Sequence, residues 1–341
     1  MTFFAEPLVV LLGELYGFKN PQLVQMLDRG RSADNFVISD TGSKYFVKIY
    51  NPKRTKEKIV EIQTVEQFFF SHGVPAVAPI THSRGEAVFE YEGKYFAVFP
   101  YIIGRELSTL PSEKAIRSIG STLARLHLAS KDEHSLSLTK KMDRWTKGNF
   151  LQKAEEILAI IEKQPTKGAF DMLAKESLEL KVKLATENPT TFESLEFTDD
   201  AILHGDYHYH NMFFNADDEL SHVFDFERTM RGSRAAELGY GLFFNCFDLN
   251  VETPDEVEEV HYARARAYLA AYNEIYPLAP TEIARGIRWY YLSQMVHLPW
   301  PERIHYLDGD MRCDSLLPKR FSRLKFISKN LDSILALAEA E

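Results

Sequence analysis

The sequence predicts an α+β protein with two lobes: a small strand-rich lobe over residues 1–100 and a large, mainly helical lobe over residues 101–341. Alternating apolar runs separated by turn residues fill the first hundred positions, whereas helical periodicity dominates after residue 104. The chain has 341 residues, 45% of them hydrophobic, which is enough for about two domains with sizeable cores. We therefore expect a hinge near residues 99–104.

The first lobe is predicted to be an antiparallel sheet with helices before and within it. Pro7 opens a helix that runs to Tyr16, and a second helix covers residues 55–72 and stops at Gly73. Turn residues at 40–42 and 92–93 each separate two apolar runs, which is the pattern of a β-hairpin. The predicted strands are 23–28, 36–39, 44–50, 87–91 and 95–100.

The second lobe is predicted to be a set of helices with one β island. The island covers residues 212–227 and contains two short apolar strands around a polar turn. A long helical insert over residues 131–200 precedes it and could wall a compact pocket. The predicted helices are 112–127, 151–163, 171–185, 235–245, 257–275, 283–295 and 321–338.

Charge and composition exclude several classes of partner. A net charge of -9 argues against a nucleic-acid partner, because affinity for nucleic acids comes mainly from Lys and Arg. The N-terminus lacks the basic segment of a signal peptide, and the longest apolar runs are far shorter than the roughly 20 residues that span a bilayer. Cys246 and Cys313 stand in no metal-ligand spacing. We expect a cytoplasmic protein with reduced thiols and no membrane partner.

The stretch from His204 to Asn211 carries the strongest chemical signal. Four residues separate Asp206 from Asn211, which is the spacing of a kinase catalytic loop. Phosphoryl transfer needs a carboxylate beside the attacking hydroxyl and further oxygen atoms that hold Mg²⁺ against the phosphates. This spacing alone is common, so its meaning depends on the residues that follow it.

The predicted hairpin after Asn211 returns the chain to the same place. Its second strand leads directly into Asp225-Phe226-Glu227, so Asp225 folds back toward Asn211 and two oxygen ligands converge on one hard cation. Glu227 shares the strand face of Asp225, and it either reaches a second ion or remains solvated.

A lysine in the first lobe fits the same chemistry. Lys48 lies in the middle of an apolar strand, where a charged side chain is costly unless it is paired. In kinases such a lysine holds phosphates and a helix glutamate. Of the glutamates in the helix that follows, we prefer Glu61, with Glu66 as the rival. The turn from Gly30 to Asn35 could cover phosphates with its backbone N–H groups.

Several motifs occur in one order along the chain and together resemble a known family. They are Gly30-x-Ser32-x-x-Asn35, Tyr-Phe-Val-Lys48, Phe-Ala-Val-Phe99-Pro with Gly104-Arg105, His127 at a helix end, His-Gly-Asp206-x-His-x-x-Asn211 and Asp225-Phe-Glu227. The sequence is similar to the aminoglycoside phosphotransferase and choline kinase superfamily over roughly residues 25–300. It most resembles the bacterial stress response kinase branch, with homoserine kinase and methylthioribose kinase as cousins.

This resemblance implies a bilobal protein-kinase-like fold that uses ATP and Mg²⁺. It implies that Asp206 is the catalytic base and that Asn211 and Asp225 bind Mg²⁺. Lys48 and the turn at Gly30, Ser32 and Asn35 would bind the phosphates. The adenine would contact the hinge at residues 99–101, which places Phe99 and Tyr101 in the nucleotide site. The first lobe would then bind nucleotide, and the second would carry the catalytic loop and substrate pocket.

Two departures from the family pattern bear on the shape of the substrate pocket. Tyr209 and His210 are bulky where the family has small residues. Glu237 stands in Ala-Ala-Glu-Leu-Gly where the family often has Asp. Neither departure removes a catalytic group.

The function predicted on these grounds is transfer of the γ-phosphate of ATP to a hydroxyl of a small molecule: an amino-sugar, an amino alcohol or a homoserine-like compound. A protein Ser/Thr acceptor, as in stress response kinases, is the alternative. A non-catalytic pseudokinase would be expected to have lost Asp206, Asn211, Asp225 or Lys48, and all four are present. A zinc hydrolase built on His204, His208, His210 and His222 would leave Lys48 and Asp225 unexplained.

Overall fold

The computed structural model describes residues 6–27, 35–140, 142, 146–187, 198–247, 249, 258–296 and 300–339. The strands are β1 Gln22–Leu27, β2 Asn35–Asp40, β3 Ser43–Ile49, β4 Val88–Tyr91, β5 Lys94–Pro100, β6 Ala201–Leu203, β7 Met212–Phe214, β8 Leu220–Val223 and β9 Met230–Gly232. The helices are α1 Glu6–Tyr16, α2 Lys56–Ser71, α3 Glu113–Ala129, α4 Lys147–Lys163, α5 Ala169–Glu187, α6 Arg234–Cys246, α7 Glu259–Asn273, α8 Pro280–Val296, α9 Pro301–Tyr306 and α10 Leu317–Leu335.

The N-terminal lobe is a five-stranded antiparallel sheet in the order β1-β2-β3-β5-β4. Both predicted hairpins are present, and their turns place Thr41, Gly42, Glu92 and Gly93 at positive φ, as two-residue hairpin turns require. The side chain of Thr55 caps α2 by accepting a hydrogen bond from the Lys58 amide. The prediction of a sheet with one internal helix is therefore confirmed.

The apolar face of this sheet is covered by α1. Leu8, Leu12 and Leu15 recur at helical spacing, are at most 2% exposed, and pack on Phe36 and Phe96 of the sheet. At the other end of the lobe, β5 ends at Pro100, where the sequence predicts the hinge. That residue 100 divides two domains stays a prediction.

The C-terminal lobe is mainly helical, and its helices cross at glycines. A Cβ atom on Gly120 of α3 would collide with the carbonyl oxygen of Tyr268 in α7. Gly239 of α6 and Gly286 of α8 likewise lie against each other's helix backbone. The small side chains let these helices approach more closely than larger residues would allow. None of the helices in the described ranges is both long and apolar enough to cross a bilayer.

The β7–β8 hairpin joins the two lobes. On one side, the Val77 amide donates a hydrogen bond of 2.9 Å to the Val223 carbonyl; on the other, Arg105 and Phe214 exchange two backbone hydrogen bonds of 2.9 Å. Residue 77 follows the first-lobe helix and residue 105 follows the hinge. The hairpin therefore fixes the segment beyond β8, which begins with Phe224 and Asp225, against both lobes.

Candidate active site

The backbone of the loop between β6 and β7 is hydrogen-bonded to a buried carboxylate. Glu237, only 3% exposed at the start of α6, accepts hydrogen bonds from the backbone amides of His204 (3.0 Å) and Gly205 (2.5 Å). Its Oε2 also lies 3.0 Å from Nε2 of the buried His127. Gly205 has φ +80°, and a Cβ atom there would overlap the carbonyl oxygen of Arg228, so a glycine is required. These contacts fix the direction in which the loop leaves the sheet.

His204 stabilises the same loop through both of its ring nitrogens. Its Nδ1 accepts a hydrogen bond from the Asp206 amide at 3.2 Å, and its Nε2 lies 2.9 Å from the Phe224 carbonyl. Burial lowers the pKa of His204, more than the nearby Glu237 raises it, so the ring is neutral. Because both ring nitrogens are engaged with the backbone, His204 serves the structure of the loop.

Asp206 projects from this loop among three side chains that favour its ionised form. Tyr240 donates a hydrogen bond of 2.5 Å to its Oδ1, Arg228 lies at 3.4 Å and His208 at 3.7 Å. Burial acts to raise the pKa of Asp206, but the contacts with His208, Arg228 and Tyr240 outweigh it and hold the pKa well below its usual range. Asp206 is therefore a carboxylate at neutral pH, with 23% of its side chain exposed.

Asn211 and Asp225 are brought side by side by the hairpin, as the sequence predicts. The Phe224 amide donates a hydrogen bond of 3.0 Å to the Asn211 carbonyl, and the Asn211 amide nitrogen donates one of 3.0 Å to the Asp206 carbonyl. The Asn211 nitrogen is thus occupied by the backbone, and this leaves its side-chain oxygen available to a cation. Asp225 has φ +68° and a side chain that is 42% exposed. These oxygen donors fit a hard cation such as Mg²⁺.

Lys48 reaches across from the sheet to the same carboxylates. Its Nζ lies 2.8 Å from Glu227 and 3.7 Å from Asp225, and Glu227 also accepts a hydrogen bond of 2.6 Å from Arg54. Burial acts to lower the pKa of Lys48, but the charges of Glu227 and Asp225 raise it above its usual value. The predicted lysine, Asp225 and Glu227 therefore form one charged cluster between the lobes.

The prediction that Glu61 pairs with Lys48 is wrong. Glu61 is bound instead by Lys58 on its own helix, at 2.5 Å, and by Thr139, at 2.8 Å. Glu66 is the glutamate near Lys48: it is 2% exposed, and burial raises its pKa to about 8, only partly offset by the charge of Lys48. Glu66 follows Ile62 by four residues, and so it lies on the buried stripe of α2.

The structure describes three of the five other residues predicted to contact the nucleotide. Gly30 and Ser32 lie outside the described residues. The side-chain oxygen of Asn35 accepts a hydrogen bond of 3.1 Å from the Ile49 amide, which commits it to the sheet. Phe99 is buried at the end of β5, whereas Tyr101 beyond it is 38% exposed.

A cavity of about 380 Å³ opens beside Asp206 in the second lobe. Its walls come mainly from α6, α8 and α10. Of the predicted insert over 131–200, Met142 alone lines the cavity within the described part of the chain, so the described residues of the insert contribute little to the wall that we expect from the sequence. The lining residues are Met142, Leu203, Gly205, Asp206, His208, Arg228, Met230, Ala236, Glu237, Tyr240, Phe244, Trp289, Tyr290, Ser293, Gln294, Leu316, Lys319, Arg320 and Arg323.

Several of these cavity residues were not identified from the sequence. Tyr240 follows Glu237 by three residues, so one face of α6 supplies both the carboxylate that holds the loop and the hydroxyl on Asp206. Arg320 and Arg323 have the same spacing in the first turns of α10. Two arginines on one helix face are a recognisable signal, but most such pairs lie in solvent.

The zinc alternative has no support from the geometry. Across the described ranges, no three His, Cys, Asp or Glu side chains are grouped as they would be around a metal ion. His204 is committed to the loop backbone, and His127 is buried at its helix end between Glu237 and the Tyr272 hydroxyl.

The chain is similar in sequence to known phosphotransferases. Residues 24–278 match the model of the phosphotransferase enzyme family, APH. The homoserine kinase of Bradyrhizobium diazoefficiens is 25% identical over 80% of this chain and 75% of its own, and that of Bartonella henselae is 23% identical over 76% and 74%.

Solved structures give the same result for the fold. An amicoumacin kinase in complex with AMP-PNP, Ca²⁺ and Ami superposes with a TM-score of 0.66 at 18% identity, covering 96% of this chain and 94% of its own. A microcompartment-associated aminopropanol kinase gives a TM-score of 0.62 at 13% identity, with coverages of 96% and 98%. The chain has a protein-kinase-like fold, is a kinase, and belongs to the phosphotransferase enzyme family.

Proposed function

We propose that this enzyme transfers the γ-phosphate of ATP, with Mg²⁺, to a hydroxyl group of a small molecule. The observation that carries the proposal is the position of Asp206. It is an ionised carboxylate at the edge of a cavity of about 380 Å³, on a loop hydrogen-bonded to the segment that bears Asp225. An acceptor in the cavity would present its hydroxyl to Asp206, and a nucleotide between the lobes would present its phosphate to Lys48 and Asp225.

The charged cluster between the lobes would bind the nucleotide phosphates. Asn211 and Asp225 would hold Mg²⁺, with Glu227 beside them, and the ion would neutralise charge on the phosphate oxygens during transfer. Lys48 now pairs with Glu227 and Asp225, so it is close enough to exchange a carboxylate for a phosphate oxygen. Glu66 of α2 would help to position Lys48. The segment with Phe99 and Tyr101 would contact the adenine.

Asp206 would orient the acceptor hydroxyl and accept its proton as the bond to phosphorus forms. A carboxylate with a depressed pKa is a weak base, so its main contribution is position, which suits a loose transition state. Tyr240 and Arg228 contact the same oxygen, Oδ1, and leave Oδ2 for the acceptor. Glu237 would contribute indirectly, by keeping the loop in place.

A small acceptor is favoured over a protein side chain. The cavity volume lies near the lower end of the range of about 300–1,000 Å³ for small-molecule sites. The similar proteins are named for small acceptors: homoserine, aminopropanol and amicoumacin. A protein Ser/Thr acceptor, the alternative from the sequence, would require a side chain to enter this cavity from a folded or extended segment.

The proposal is tested by the variant Asp206→Asn. Loss of the carboxylate should lower kcat by about 10²–10⁴-fold while the Kd for ATP stays within a few-fold, because the group acts in the transition state. The readout is ADP release with a panel of hydroxyl acceptors, together with nucleotide binding by calorimetry. Asp217→Asn is the matched control, since Asp217 is exposed in the turn before β8.

Near-normal turnover in Asp206→Asn would show that the role given to Asp206 is wrong. Nucleotide binding without transfer to any acceptor by the unaltered enzyme would favour the pseudokinase alternative instead.

A further inference from the structure

Cationic side chains gather in the cavity beside Asp206. Arg320 and Arg323 come from the first two turns of α10, and Arg228 is the residue directly after Glu227. The carboxylates among the described lining residues are Asp206 and Glu237, and both already accept several hydrogen bonds or ion pairs within the protein. The described wall therefore carries more positive charge than its own carboxylates neutralise.

Arg323 is the most informative of these cations. It is 8% exposed, its Nε has no hydrogen-bond partner, and its guanidinium lies 5.2 Å from the centre of the Phe244 ring. Within the described residues no carboxylate lies within ion-pair distance of it. Burying a guanidinium is costly unless a counter-charge or hydrogen bonds compensate for its lost hydration.

The surroundings of Arg323 reinforce this reading. Burial, together with the charges of Arg323 and Arg228, lowers the pKa of Arg320 to about 10, although Tyr290 and Glu302 act in the opposite direction. The three guanidinium groups therefore repel one another. The hydroxyl of Tyr290, also in the cavity wall, is buried without a hydrogen-bond partner. An anion in the cavity would relieve the repulsion and could accept hydrogen bonds from these groups.

We propose that the acceptor carries an oxyanion, a carboxylate or a phosphate ester, which Arg323 and Arg320 bind while the hydroxyl of the same molecule faces Asp206. This inference rests on the proposed function and narrows it. Planar guanidinium groups pair with both kinds of oxyanion through two parallel hydrogen bonds. Polycationic amino-sugars are the wrong acceptors for such a cavity, because like charges meet in it.

The test compares probes that differ only in the anion. Each is added to the full-length enzyme saturated with Mg·ADP, so that the nucleotide site is occupied, and binding is followed by thermal shift. The pairs are L-homoserine with its carboxamide, 4-hydroxybutanoate with its amide, and glycerol 3-phosphate with glycerol; kanamycin is the polycation. The first two pairs report a carboxylate, and the third reports a phosphate ester.

The expected result is at least tenfold tighter binding of the anionic member in one pair, and loss of that preference in Arg323→Gln. Arg323→Lys keeps the positive charge and should therefore retain part of the preference for the anionic probe. Arg117→Gln is the control, since Arg117 pairs with Glu274 on the exposed surface and should keep the preference. Any variant that unfolds is excluded by its melting curve, and the comparison within the unaltered enzyme still decides.

The inference would be overturned by equal binding within every pair, by kanamycin binding tighter than every anion, or by an anion preference that persists in Arg323→Gln. Turnover of neutral or cationic acceptors alone would overturn it while leaving the kinase function intact. Failure of the proposed function has a different signature, namely no stabilisation by Mg·ATP and no transfer to any acceptor.

Discussion

At the scale of single residues, two largely buried carboxylates respond to their surroundings in opposite ways. Asp206 contacts Tyr240, Arg228 and His208, and these outweigh burial and lower its pKa. Glu66 has one oxygen without a hydrogen-bond partner, and burial raises its pKa to about 8. At neutral pH the first is charged and the second is mostly protonated, so only the first can act as a base.

The raised pKa of Glu66 predicts a pH dependence of stability. In the unfolded chain a glutamate has a pKa of about 4.3, so between that value and about 8 the folded protein binds the proton that the unfolded chain has released. The contribution of Glu66 to the unfolding free energy should then fall as pH rises from 5 to 8. Glu66→Gln should reduce this fall by on the order of 1 kcal/mol or more. Urea unfolding at several pH values measures it, and an unchanged slope would contradict it.

The sequence predicted the ionic residues of the site better than their partners. Asp206, Asn211 and Lys48 lie in the loop and strand that their order along the chain predicts, and Asp225 follows the predicted hairpin. The prediction that Glu227 shares a strand face with Asp225 is wrong, because β8 ends at Val223 and Glu227 lies in a short 3₁₀ helix, Phe226–Arg228. Closeness to the middle of the helix favours Glu61 as the partner of Lys48, whereas Glu66 lies on the buried stripe of α2. Cavity residues such as Arg323 come from distant helices, and their meeting depends on helix packing that no local pattern records.

At the scale of elements, the helical lobe depends on close crossings. Gly239 and Gly286 bring α6 against α8, and α6 carries both Glu237 and Tyr240.

The shortest strands cannot be predicted from the sequence for a physical reason. β6 and β9 have three residues each, too few to show alternation, and their residues are mostly buried on both faces. The longer helices and the hairpins follow from periodicity and turn residues, apart from shifts of a few residues at their ends.

The close crossing of α6 and α8 predicts that a single added methyl group lowers the stability of the protein substantially. Gly286→Ala places a Cβ atom against the carbonyl oxygen of Ala235, so the helices must move apart. We expect a loss of about 1–3 kcal/mol in the free energy of unfolding, measured with urea. Gly148→Ala in α4 is the control, because a Cβ atom there meets nothing within 4 Å and stability should hold or rise slightly. Equal effects in the two variants would contradict this account of the crossing.

At the scale of the whole molecule, Lys48 links the sheet of one lobe to the 225–227 segment of the other. Lys48→Met should lower kcat/KM for ATP at least about a hundredfold, because a phosphate ligand and the bond across the lobes are lost together. Steady-state kinetics measure it. Lys56→Met is the control, since Lys56 pairs with Glu86 in a solvent-exposed salt bridge of the same lobe. Comparable loss in both variants would mean that Lys48 serves general stability.

The fate of labelled phosphate tests the proposed phosphoryl transfer from ATP to a small hydroxyl acceptor. The enzyme is incubated with ATP labelled at the γ position, Mg²⁺ and the acceptor probes, and the label is separated into protein, inorganic phosphate and small-molecule ester. We expect label in a small-molecule ester, dependent on Mg²⁺ and lost in Asp206→Asn. Label found only in protein, only in inorganic phosphate, or only in unreacted ATP would contradict it.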